Sequence, residues 1–349
     1  MKLTFNVRQG LTILTIFSLI FISMNRVKSE EESKPFKIFT GHTEKVEAIA
    51  FSADNKILIS GSRDNTLKIW DIETGKVLHT LSTESQGITS IALNRDRQIL
   101  VSGDIDNSVK IWDLQTGKLL ITLNGHSQPV EAVAISPNGK LVVSGSDDRT
   151  INIWDIDSGR LLHTLIGHPD YISDLGISPD GKILVSSSGD ADYMAKVYGN
   201  IKVWNLQTGK LLYSLKQASP VGNIIISPDG KTLFSGSFGQ LESPNSAINT
   251  IMIWDLQQGK LIRNFSENTE SLESITLTSN GKILITGNFQ GSINFWDWKN
   301  RQLLHTLKND SDPINAIAIS PDQKNIASSS DDTIKLWKTP PMEKTLLNE

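Results

Sequence analysis

In a chain with no cysteine, catalysis or metal binding falls to histidine and carboxylate, and this sequence has six histidines. Imidazole is the side chain best suited to proton transfer and to zinc or copper near neutrality. The six fall at two recurring places. His42, His126 and His168 each follow a glycine, and His79, His163 and His305 each stand in the same short phrase, "LHTL". A histidine cluster would have to be drawn from distant copies of one segment, so no catalytic or metal-ligating histidine is expected. The "SDD" runs at 146–148 and 330–332 have the composition of an acidic metal loop, but they stand in short turns, where aspartate ordinarily serves the turn itself. Glu47, Glu131, Asp174 and Glu273 are isolated acids in small, aliphatic segments such as "AIAF", "AVAI", "DLGI" and "SITL". The missing cysteines exclude disulfides, thiolate metal sites and a thiol nucleophile. No cofactor is implied.

What positions these residues is a period. Tryptophan recurs at Trp70, Trp112, Trp154, Trp204, Trp254, Trp296 and Trp337, with spacings of 42, 42, 50, 50, 42 and 41. A period of this size marks a repeat architecture. The first copy holds four β-branched runs, "VEAIAFS" (46–52), "ILIS" (57–60), "TLKIWD" (66–71) and "VLHTL" (77–81). The connections are hairpin-sized: "SPNGK" (136–140) and "SPDGK" (178–182, 227–231) join first to second strands, and "ETGK" or "QTGK" joins third to fourth. A four-stranded sheet with two apolar faces needs neighbours, and radial stacking supplies them. The last copy stops after its third strand, "TIKLWK" (333–338), whereas "FKIFTGH" (36–42) is a fourth strand with no copy before it. The expected fold is all-β: a seven-bladed propeller of four-stranded antiparallel blades, with Phe36–Thr40 completing the last blade beside Thr333–Lys338.

Residues 1–35 form a distinct segment, residues 36–338 the propeller and residues 339–349 a tail. The first segment has a basic start (Lys2, Arg8), a 14-residue apolar run from Leu11 to Met24, and the polar "NRVKSEEES". That pattern resembles a secretory signal peptide, so an extracytoplasmic, secreted or periplasmic location is expected, with membrane anchoring by residues 7–27 as the alternative. The net charge of −4 includes five Lys/Arg and three Glu in residues 1–35, leaving −6 on the remainder, which argues against a nucleic-acid partner.

The "GH" and "WD" pairs at this period make residues 36–338 similar to the WD40 repeat family. The resemblance implies a hydrogen-bonded tetrad in each blade: a His before the first strand, a Ser/Thr on the second, an Asp in the following turn, and the Trp. Carried onto this chain, it names His42, Ser60, Asp64 and Trp70; Ser102, Asp106 and Trp112; His126, Ser144, Asp148 and Trp154; and His168, Ser186, Asp190 and Trp204. At the His position the copies read His42, Glu84, His126, His168, Gln217, Asn268 and Asp310. Gly239 and Gln290 replace the Asp in copies five and six, expected to be the weakest blades, and copy seven leaves Asp331 and Asp332 as alternatives.

Two adjacent copies break the monotony. Ser186 to Trp204 is 18 residues and Ser235 to Trp254 is 19, against 10 for Ser60 to Trp70. The longer loops bring Tyr193, Met194, Tyr198, Phe238 and Leu241, side chains suited to an interface lip. On the same face the WD40 resemblance places Lys45, Glu47, Arg63, Glu131, Asp147, Tyr171, Glu273 and Phe289. The expected function is a non-catalytic scaffold that binds a protein or peptide partner. The alternative is a propeller enzyme, hydrolase-like, or a small-ligand sensor with its site at the central channel.

Overall fold

The hairpins close on residues that take a left-handed backbone. Gly139 (φ 66°) does so between first and second strands and Gly75 (φ 77°) between third and fourth, and Asn55 and Arg301 fill equivalent places at 60° and 59°. Asp71 stabilises its turn by accepting from Thr74 N–H (2.6 Å) and Thr74 Oγ1 (2.7 Å). Short turns of this kind hold β-branched runs in antiparallel register.

The structure, a computed structural model, describes residues 34–84, 86–94, 98–189, 199–217, 219–237, 251–265, 271–308 and 312–341. Within them, 28 strands form seven four-stranded sheets. Blade one consists of Val46–Phe51, Ile57–Ser62, Thr66–Asp71 and Val77–Ser82, in that order from the channel outward. The inner strands contact one another in sequence round the ring, and the first (Val46–Phe51) touches the last (Ala316–Ile319), closing it. Blade seven takes its outermost strand from the start of the chain: Lys37–Phe39 pairs antiparallel with Thr333–Lys338, with Lys37 opposite Leu336 and Phe39 opposite Ile334. The expected seven-bladed ring with an N-terminal closing strand is the observed fold.

The core is a set of seven apolar layers, each between neighbouring blades. Between blades one and two, for instance, Ile59, Leu67, Ile69 and Leu81 pack on Ile88, Leu100, Trp112 and Leu114. The seventh layer lies at the seam, where Phe39, Ile334 and Leu336 of blade seven meet Val46, Leu58 and Trp70 of blade one. Polar contacts also cross the seam: Val46 N–H donates to Asp331 O (2.7 Å), Ser329 Oγ to Val46 O (3.0 Å) and Lys37 Nζ to Ile72 O (2.8 Å). The blades approach so closely that a Cβ on Gly145 would stand 2.4 Å from Ile172 Cγ2 of the next blade.

Six inner strands carry a register shift after their first residue, as between Val46 and Ala48. A bulge leaves one residue unpaired and re-aims its side chain. The bulged positions include Glu47, Glu131 and Glu273, so a backbone irregularity sets these acids apart from the aliphatic strands that carry them.

Candidate functional site

The hairpin between second and third strands lies against the connection from the preceding blade: Arg63 N–H donates to Lys45 O (2.9 Å), Asp147 N–H to Pro129 O (3.0 Å) and Phe289 N–H to Ser271 O (2.9 Å). Both sets of loops therefore share one face, here the upper face. The remaining turns form the lower face, where Ile72 N–H donates to Lys56 O (2.9 Å).

At the upper mouth of the channel, Glu47 is held by Arg63 Nε (2.8 Å) and Lys45 Nζ (2.9 Å). The other acids have weaker compensation. Burial pushes the Glu131 carboxyl up to about 7; Asp147 and Glu47 repel its charge, while Arg63 attracts it. Burial also raises Glu273, which feels Lys45 and Glu47 and accepts a 3.4 Å bond from Ser271 Oγ. Asp147 is raised by burial and by the neighbouring charges of Asp170 and Asp148. Lys45, Glu47, Arg63, Glu131, Asp147 and Glu273 thus form one electrostatic group, drawn from blades one, three and six. Phe289 stands on the same face, 56% exposed. Tyr171 is half-buried, its ring close over Gly189. Tyr193, Met194, Tyr198, Phe238, Leu241 and Asp190 lie outside the described residues, as do most of the two long loops and most of residues 1–35.

Beneath this face, hydrogen-bonded chains anchor the loops. In blade one, Trp70 Nε1 donates to Ser60 Oγ (2.8 Å), Ser60 Oγ meets His42 Nε2 (2.7 Å), and His42 Nδ1 meets Asp64 Oδ2 (2.7 Å). Blade three repeats this through Trp154, Ser144, His126 and Asp148 at 2.9, 2.8 and 3.0 Å. Burial lowers the pKa of both imidazoles, although each faces an aspartate. In blade four, Trp204 donates to Ser186 (2.9 Å) and Ser186 meets His168 Nε2 (2.6 Å); burial pushes His168 down to about 3. Gln217 replaces the imidazole in blade five, its Oε1 accepting from Ser235 Oγ (2.6 Å). In blades six and seven, Trp296 and Trp337 donate to Thr286 (3.1 Å) and Ser328 (2.9 Å). Asn268 and Asp310 lie outside the described residues, and Asp331 gives its carbonyl to the seam.

Blade two is different. Trp112 donates to Ser102 Oγ (3.1 Å), but Asp106 is bonded to Lys110 Nζ (2.8 Å), and Glu84 is exposed. The buried lysine was not legible from its own position, because Lys68 and Lys202, at the same place in other blades, reach outward to Thr80 and Ser214. The wall acid Asp174 accepts from Ile224 N–H of the next blade and from its neighbour Leu175 N–H (2.8 Å each), and burial pushes it up to about 7. Ser90 and Ser274, at the equivalent inner-strand position, accept from Val133 and Ile317 N–H. These acceptors were not anticipated; the only signal was a polar residue where other copies have Ala48, Ala132 or Ala316.

The lower mouth holds a cavity of about 520 Å³, lined by aliphatic side chains such as Ile49, Leu93 and Ile317 and by polar ones, Thr276, Ser320 and Gln323 among them. No group of three or more His, Asp or Glu side chains suited to a metal occurs among the described residues.

Known proteins are matched over short stretches. A ribosome biogenesis protein BOP1 homolog of Drosophila persimilis is 34% identical over 64 residues, 17% of this chain and 8% of that protein. A probable E3 ubiquitin ligase complex SCF subunit, sconB, of Arthroderma benhamiae is 57% identical over 44 residues, 13% of this chain and 6% of that protein. These matches span less than a tenth of either relative's length.

They correct the expected location. Ribosome biogenesis and ubiquitin ligation, named for these relatives, are work of the cell interior, which contradicts the extracytoplasmic, secreted or periplasmic location expected from residues 1–35. That reading rested on a local pattern, a basic start, an apolar run and a polar stretch, which does not by itself distinguish a targeting segment from an apolar segment with another use. Among the described residues, no helix is long and apolar enough to cross a membrane.

The family model for the WD domain, G-beta repeat, matches residues 33–71, 75–113, 117–155, 159–205, 259–297 and 301–338. Each matched unit begins near an outer strand and ends with the third strand of the next blade, the staggering that the seam requires. With more than half of its length covered and seven blades in a closed ring, the chain belongs to the WD40 repeat family.

Proposed function

We propose that this propeller is a non-catalytic platform that binds a protein or peptide partner on its upper face. The observation that carries this reading is the group at the channel mouth. Glu47 is already neutralised by Lys45 and Arg63, whereas burial raises the carboxyls of Glu131, Asp147 and Glu273, with Asp147 and Glu47 adding repulsion at Glu131 and Glu47 adding it at Glu273. A partner that brings a cationic side chain to the mouth relieves this repulsion, and exposed Phe289 offers apolar contact on the same face. One matched relative is named as a subunit of a multiprotein complex, in keeping with a binding role. The fold itself does not specify the partner.

The test is comparative capture from a lysate of the source cells. The full chain is set beside E131K/E273K, a form with the loops 189–200 and 238–249 trimmed to the length in blade one, and a lower-face control, K140E/K231E. Loss of the same proteins from the mouth variant, with the control unchanged, supports the reading. Equal capture by all four sinks it. A channel-ligand reading has one supporting feature, the cavity at the lower mouth, lined by aliphatic and polar groups alike. A screen of small neutral ligands by thermal shift, together with a general hydrolase screen, separates the two readings.

A further inference from the structure

We infer that in blade two the ammonium group of Lys110 takes the place of the imidazole that staples blades one and three, so this blade is closed by an ion triad in which Lys110 and Asp104 are buried and Asp106 faces solvent. The match is atom for atom on one side. In blade one, Asp64 uses Oδ2 for His42 Nδ1 (2.7 Å) while its Oδ1 accepts from Thr66 Oγ1 (2.6 Å). In blade two, Asp106 uses Oδ2 for Lys110 Nζ (2.8 Å) while its Oδ1 accepts from Ser108 Oγ (2.6 Å). The ammonium also donates to Ser108 Oγ (2.7 Å) and to Asp104 Oδ2 (2.6 Å). Lys110 is 5% exposed and Asp104 is fully buried.

Three sequence differences make the exchange coherent. Gly41, before His42, has φ 145°, a backbone that Thr83 at the same place in blade two does not readily adopt. Thr83 instead donates N–H to Asn65 O (3.1 Å), and Glu84, at φ 51°, is exposed. The Glu84 side chain, at the place of His42, therefore stays outside the blade. Asp104 stands where other blades have Ser62, Ser146, Ser188, Ser237 or Ser330, and Lys110 turns inward to meet it. A new anion and an inward cation thus occur in the same blade, which also lacks the histidine. The triad fixes the hairpin Asp104–Asn107, whose Ile105 N–H donates to Gly87 O (3.0 Å). It therefore positions blade two's part of the upper face.

The test is a double-mutant cycle on the full chain. K110M, D104S and K110M/D104S are compared with the parent by thermal unfolding and by amide hydrogen exchange over residues 99–113. K110M leaves two carboxylates facing a space without a cation and is expected to lower Tm by about 5–10 °C and to speed exchange in this stretch. The double variant removes the buried anion as well and recovers at least half of that loss. The inference is overturned if K110M melts within about 1 °C of the parent, or if the double variant loses as much as the two single changes together. Should K110M fail to fold, recovery of a cooperative transition in the double variant supports the triad, and failure of both overturns it.

Discussion

Phe39, near the beginning of the chain, meets Trp70 edge-on, with ring centroids 5.5 Å apart and planes at 66°. The contact crosses the seam. Phe39 belongs to the outermost strand of blade seven, Trp70 to the third strand of blade one, and both are about 1% exposed. The layer that closes the ring is therefore built like the other six, from a third-strand tryptophan and the outer half of the preceding blade. F39A is expected to cost about 3–5 kcal/mol, measured by denaturant unfolding, because the cavity opens where main-chain pairing is only three residues long.

The stapling chains predict a ranking. S144A leaves Trp154 Nε1 and His126 Nε2 without their shared partner in a buried site and is expected to cost about 2–4 kcal/mol. T286A deprives only Trp296 among the described contacts and is expected to cost about half as much. Chemical denaturation of the two variants checks the order.

Blade spacing is set at glycine positions on the second strands. G145V places methyl groups against Ile172, where a Cβ alone would already stand at 2.4 Å from Cγ2 and 2.8 Å from Cβ, so the obstruction is the neighbour's branch point rather than a flexible tip. A loss of about 2–3 kcal/mol is expected by thermal or denaturant unfolding, partly recovered by I172A, which frees the space.

Glu131 makes a prediction about pH. Its folded-state pKa of about 7 lies above the ordinary carboxylate value, so folding favours the protonated form. The associated stability is fully present below about pH 4.5 and is lost as pH rises through 7. E131Q, which stays neutral, should match the parent near pH 4 and exceed it at pH 8 by on the order of 1–2 kcal/mol after screening by water in the channel. Tm measured across that range for both proteins gives the difference directly.

Much of the fold was legible because its signals are local and repeated. The tryptophan period, the Asn/Asp-Gly hairpins and the unmatched strand at each end specify seven blades and their seam, and Thr66–Asp71 was located to the residue. Lys45, Glu47, Arg63, Glu131, Asp147 and Glu273 could be named from the sequence, but their electrostatics could not. That Glu131 is burdened by Asp147 of its own blade and eased by Arg63 of blade one depends on ring geometry, which no local pattern carries. Lys110 was missed for a related reason: its burial follows from a threonine at residue 83 and an aspartate at residue 104, a coupling across three segments of chain. The extracytoplasmic location expected from residues 1–35 failed because it drew only on a local pattern of charge and hydropathy.

The account rests on a closed ring that brings acids from blades one, three and six to one mouth. The most direct measurement is thermal unfolding of a chain that starts at Gly41, with and without a synthetic peptide of residues 34–41. The closing strand predicts a Tm lowered by about 10 °C or more, raised again by saturating peptide. A shortened chain that melts with the parent's Tm and ignores the peptide would contradict it.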